Sequence, residues 1–158
     1  MYSLQIKQTY PLVLGYLQYQ FQEDTWRQLV HLRNPLTKSL VYTINIGGGI
    51  AILSTDSSGT LVDAEFNIPQ RYWEIEAKEI KCRSEERANI QFVGLLFNHI
   101  EIDLPIRAIT NESFSRVYFI FGTDKCHLYS CVRLSEDCLA LVIGNQLRGF
   151  CIENLVRS

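Results

Sequence analysis

Methionine is nearly absent from this chain: the one Met among 158 residues stands at position 1, which excludes a binding groove lined by adaptable thioether side chains. No stretch approaches the roughly 18 uninterrupted apolar residues of a membrane-spanning helix, so no transmembrane segment is expected. The opening residues, Met-Tyr-Ser-Leu-Gln-Ile-Lys, lack the basic and apolar blocks of a secretion leader. Strong charge is missing too. A formal net charge of −2 creates no field that would drive general nucleic-acid binding. The five cysteines show no C-x-x-C spacing and, without a leader, read as reduced thiols; the location expected is intracellular, with cytoplasm as the default. Neither G-x-S-x-G nor H-E-x-x-H occurs, and His31, His99 and His127 are isolated from one another. Repeats, low-complexity tracts and linkers are also lacking, so a single globular domain over 1–158 is expected.

What is present favours strands. Hydrophobic residues make up 47% and charged residues 20%, which argues for a packed core and against disorder. Eight Phe and eight Tyr add to a β-branched background suited to pleated surfaces. Arginine outnumbers lysine ten to five, and the arginines are scattered. Because guanidinium groups pair, stack and bridge where ammonium groups do not, this mildly favours recognition surfaces.

Along the chain, Tyr2, Leu4 and Ile6 alternate with polar residues, as do Leu17, Tyr19 and Phe21 with Gln18, Gln20 and Gln22; both patterns predict half-buried strands. The uncharged glutamine row suits a sheet edge that pairs with a partner. Asp24 then reads as the cap of a short helix carrying Trp26, Leu29 and Val30, ended by Asn34-Pro35. Strands are expected over 40–46, 50–54 and 60–66, with reversals at Gly47-Gly48-Gly49 and Asp56-Ser57-Ser58-Gly59. The segment 70–87 fits two templates, and helix is slightly favoured: Pro69 suits a helix start, and Glu74/Lys78 and Glu79/Arg83 are helix-type pairs. Strands follow at 90–97 and 100–104.

The last quarter reads as a four-strand antiparallel meander, 117–121, 126–133, 138–143 and 146–152, with turn residues between each pair. A register taken from those turns places Val117, Phe119, Phe121, Cys126, Leu128, Val132, Leu134, Leu139, Leu141, Ile143, Phe150 and Ile152 on a core face. The opposite face then carries Arg116, Tyr118, His127, Tyr129 and Arg133, with Ala140, Val142 and Leu147 at its apolar end. Slipping one strand by a residue would exchange its faces.

These observations define the expected fold as α+β, mainly antiparallel sheet with one or two covering helices; the alternative is an all-β barrel-like arrangement. Zinc is not expected, because Cys126 and Cys131 point to opposite faces of one strand. Nor is a phosphate loop, because the glycine run feeds a strand and no lysine follows. No cofactor, metal or catalytic residue is assigned. The function expected is a non-enzymatic protein-interaction or assembly domain, with a protein partner or self-association through the Arg116, Tyr118, His127, Tyr129 and Arg133 face. The alternatives are a barrel holding a small apolar ligand and, against the charge balance, a single-stranded nucleic-acid binder.

Overall fold

The computed structural model describes residues 4–9, 18–23, 28–33, 40–76, 79–95, 97–123 and 125–154. The strands in chain order are β1 (Ile6–Thr9), β2 (Gln18–Glu23), β3 (Gln28–Arg33), β4 (Tyr42–Ile46), β5 (Ala51–Thr55), β6 (Leu61–Asn67), β7 (Glu74–Ile75) and β8 (Lys81–Arg87). They continue as β9 (Asn89–Phe92), β10 (His99–Ile102), β11 (Ile106–Thr110), β12 (Val117–Phe121), β13 (Leu128–Ser135), β14 (Cys138–Ile143) and β15 (Gln146–Ile152). Strands account for 61% of the described residues and no α-helix occurs among them, so the chain is nearly all β rather than α+β. Nor is it a closed barrel.

Both expected helices are corrected. Leu29 and Val30 belong to β3, which pairs antiparallel with β2 and β6; Asp24 and Trp26 lie outside the described residues. The 70–87 segment opens with a single 3-10 turn at Gln70–Tyr72, then forms β7 and β8, which join a sheet in parallel with β11 and β13. Two features outweigh the helical pattern. Trp73 is buried, and its indole N–H donates to the Ile68 carbonyl at 3.0 Å, which fixes the chain direction after Pro69. All seven residues of β8 are exposed, so their charges need no helix to reach water. Helical i,i+4 ion pairs contribute only about 0.2–0.5 kcal/mol each, too little against the ladder that β8 forms with β13.

Two large sheets face each other. One has the order β10-β4-β5-β6-β3-β2, the other β7-β11-β12-β15-β14-β13-β8. A two-stranded piece, β1 with β9, links them through bridges from Gln5 to Gln146 and from Thr60 to Gln91. Alternation decides which side chains enter the space between the sheets: Ile44 and Ile46 of β4 are fully buried, and Ala64 and Phe66 of β6 likewise. Phe66 stacks on Phe119 of the opposing sheet, centroids 4.3 Å apart, and Trp73 and Phe150 add edge-on contacts to this pair.

The C-terminal strands are not a four-strand meander. β13, β14 and β15 form consecutive hairpins, but β12 pairs with β15 and β11, never with β13. This spatial order, β12-β15-β14-β13, is a Greek key. The turn pairings Ser135 with Cys138 and Ile143 with Gln146 agree with the sequence reading, yet β14 presents the opposite faces. Bulges at Leu134 and Arg148 insert one extra residue on either side of it. Ala140 and Val142 therefore enter the main core, while Leu139 and Leu141 join a second cluster on the outer face.

The thiol state is corrected as well. Cys82 of β8 and Cys131 of β13 are joined by a disulfide, with Cα atoms 5.6 Å apart. Reduced cysteines were expected, and the cytoplasmic location rested on them. A disulfide instead suits an oxidising compartment outside the cytoplasm. Cys126, Cys138 and Cys151 remain free.

Candidate functional site

The outer face of the seven-stranded sheet has an apolar floor. Ile109, Ile120, Tyr129, Cys131, Leu139, Leu141 and Cys151 pack there with Ile80, which comes from the lead-in to β8. Alternation along β12 and β13 puts Tyr118, Tyr129, Cys131 and Arg133 on this side, because Val117, Phe119, Val132 and Leu134 are taken by the main core. The expected site residues thus share a face, but they do different things on it.

Tyr129 is 2% exposed and belongs to the floor. The Arg133 guanidinium is tied down on several sides: Nε and Nη2 donate to the two carboxylate oxygens of Glu85 at 3.1 and 3.0 Å, and Nη2 donates to Glu153 at 2.8 Å. Its Nη1 donates to the Glu136 carbonyl at 2.7 Å. These bonds raise the Arg133 pKa, and the same guanidinium holds the Glu85 carboxyl below its ordinary value. Tyr129 and Arg133 are thereby spent inside the molecule.

The other end of the face is open. A recess of about 190 Å³ is walled by Glu76, Glu79, Ile80, Ile109, Arg116 and Tyr118. Arg116 Nη1 donates to the Tyr118 hydroxyl over a long 3.4 Å, and that hydroxyl donates to the Ile80 carbonyl, also at 3.4 Å. Burial pushes the Tyr118 pKa up, while the bond to Tyr118 raises that of Arg116. Asn111 shapes the entry: its side-chain oxygen accepts from the amides of Ser115 and Arg116, and Thr110 donates to the Arg116 carbonyl at 2.6 Å. Beyond Glu79 lies a second, shallower groove bordered by Lys81, Lys125, Cys126, His127 and Leu128. His127 Nε2 sits 2.9 Å from Glu76, and the His127 carbonyl accepts from the Lys81 amide at 2.7 Å.

The chain matches no family model, no curated protein and no solved structure.

Arg107 and Arg133 on the same sheet each hold a glutamate. Arg116, Lys81 and Lys125 have no carboxylate within ion-pair distance among the described residues. No group of three or more His, Cys, Asp or Glu among the described residues could hold a metal. The recess and groove bring Arg116, Tyr118 and His127, named from the sequence, together with Glu76, Glu79, Ile80, Lys81 and Lys125, which were not. The signal was the charged run from 74 to 83, which a helical reading scattered around an axis, whereas Glu74–Ile75 pairs with β11 and Lys81–Arg87 with β13.

Proposed function

We propose that this chain is a protein-interaction domain, that its docking surface is the Arg116–Tyr118 end of the outer sheet face, and that the partner presents an acidic segment. The observation that carries the reading is Arg116, a half-buried guanidinium facing a recess and making, among the described residues, only a long side-chain bond to a tyrosine hydroxyl. Such a group retains donors in a planar fork that matches a carboxylate. Lys81 and Lys125 extend the positive character along the adjoining groove. The two acidic wall residues, Glu76, hydrogen-bonded to His127, and Glu79, are the opposing charges. Tyr118 offers ring area and a hydroxyl beside the arginine, the pairing that recurs at binding hot spots.

The test is fluorescence anisotropy with a labelled Glu/Asp-rich peptide containing one tyrosine, beside a Gln/Asn-rich peptide of equal length. The acidic peptide should bind with salt-sensitive affinity, and Arg116→Ala should weaken it roughly tenfold, a charge-assisted hydrogen bond contributing about 1.5–3 kcal/mol, while the thermal midpoint stays within a few degrees. Equal binding of both peptides, or an unchanged affinity in the variant, removes the reading. Light scattering decides one other occupant: a dimer that Arg116→Ala converts to monomer assigns the surface to a second copy of this chain.

A further inference from the structure

β8 is an unusual edge. It lies at the rim of the seven-stranded sheet, paired in parallel with β13 alone, and every one of its seven residues is exposed. None of them enters either hydrophobic cluster. Its register against β13 is broken by a bulge at Arg83, between the Tyr129–Cys82 and Ser130–Ser84 pairs. Burial, the dominant favourable term for most strands, therefore does little to keep β8 in place. The residues flanking it are different: Ile80 is buried in the outer cluster and Ala88 in the main core. The strand is a polar span fixed at both ends. Its middle is tied by the β13 ladder, the Arg133–Glu85 pair and the Cys82–Cys131 bond.

We propose that the Cys82–Cys131 disulfide is a redox latch, and that its reduction releases β8 from β13 while the two-sheet core stays folded. The two partners are unequally placed: Cys82 is exposed and Cys131 is 2% exposed. A thiolate from a dithiol reductant attacks the accessible Cys82 sulfur. The bond between the two protein sulfurs breaks, and Cys131 leaves with the electron pair and takes up a proton. The second thiol of the reductant then attacks the mixed disulfide, frees Cys82 as a thiol and closes its own disulfide. Two electrons pass from the dithiol to the protein, and atoms balance. Release uncovers the outer row of β13 amides and carbonyls and removes the rim beside Tyr129.

The sequence of β8 supplies a direct readout, because Lys81, Arg83 and Arg87 are trypsin sites within it. Limited trypsinolysis with mass spectrometry, on the whole chain with and without a dithiol, should cut at these sites at least tenfold faster after reduction. Hydrogen exchange should accelerate by a similar factor at the β8 amides and remain slow in β12 and β15. Cys82→Ser should behave as the reduced protein does without any dithiol; if that variant fails to fold, reduced wild type carries the comparison. Unchanged cleavage and exchange after confirmed reduction overturn the proposal. So does loss of protection throughout β12 and β15, which would make the bond a staple of the whole fold.

Discussion

Gly149 offers the sharpest test of the sheet packing. It pairs with Ile120 across β12 and β15, next to the bulge at Arg148. A methyl group added there would collide with the Phe119 carbonyl oxygen, and would lie 3.1 Å from the Phe119 carbonyl carbon and 3.2 Å from the Ile120 Cα. All three obstacles are backbone atoms. Both strands are interior to the seven-stranded order, so neither can swing outward to relieve the clash. Overpacking of a core side chain costs about 1–3 kcal/mol, and a backbone obstacle places Gly149→Ala at the upper end, about 3 kcal/mol. For a chain of this length each kcal/mol moves the thermal midpoint by about 2–4 °C, which predicts a drop of roughly 6–12 °C. Gly144→Ala is the comparison. Gly144 has a φ of 63° and nothing within 4 Å of the added methyl, so only the left-handed backbone is penalised, by about 1–2 kcal/mol. Circular dichroism melts of the three proteins, supported by urea unfolding, measure the difference. A Gly149→Ala midpoint equal to wild type, or above that of Gly144→Ala, would refute the close approach of β12 and β15.

Four further outcomes follow from groups already described. At mildly alkaline pH a chromogenic disulfide reagent should label Cys126 in the native protein and reach Cys138 and Cys151 only on unfolding. Burial raises both of those thiols, Cys151 to about 12, so prompt labelling of all three would contradict the packing. The same shifts predict stability that is complete below the unfolded thiol pKa and declines as pH rises through the folded one, with Cys151→Ala flattening part of the alkaline limb of a pH–stability curve. Glu85 works with the opposite sign: its folded pKa is lowered by Arg133, so its contribution is present above about 4.5, the usual glutamate value, and fades as pH falls through the folded value. An NMR carboxyl titration should show a depressed Glu85 in wild type and an ordinary one in Arg133→Met; identical curves would dismiss the pair. Finally, Tyr129→Ala should lower stability by about 3 kcal/mol as a buried aromatic truncation, read by urea unfolding, and an unaltered midpoint would place that ring at the surface.

The strand content was legible wherever a local period decided it. Ile44 and Ile46 against Thr43 and Asn45, or Ala64 and Phe66 against Glu65, point to strands without reference to anything distant. The hairpin turns were legible too, since Gly47-Gly48-Gly49 and the Asp56 loop reverse the chain by local chemistry: the Asp56 carboxylate accepts from the Ser58 and Thr60 amides at 2.9 and 3.1 Å. Non-local choices were not. A bulge such as that at Leu134 leaves no local mark, yet it turned β14 over and exchanged Leu139 and Leu141 for Ala140 and Val142. The partner of β12 depends on which strand arrives beside it, and β15 takes that place ahead of the sequence neighbour β13. The same holds for Cys82 and Cys131, separated by 49 positions. At the candidate site, the Arg116–Tyr118 half was visible as a strand pattern, whereas Glu76, Glu79 and Lys81 reach it only because β7 and β8 join the sheet at its two rims.

The position of β1 bears on how the chain acquires its structure. The Ile6 amide donates to the Asn145 carbonyl, and the Leu147 amide to the Leu4 carbonyl. Leu4 and Ile6 thus find part of their hydrogen bonding in a turn far along the chain from them. Until 145–147 leave the ribosome, Leu4 and Ile6, both buried in the finished core, lack that partner. Closing so long a loop is entropically unfavourable and slow, so the contact of β1 with the β14–β15 turn forms after its pairing with the nearer β9.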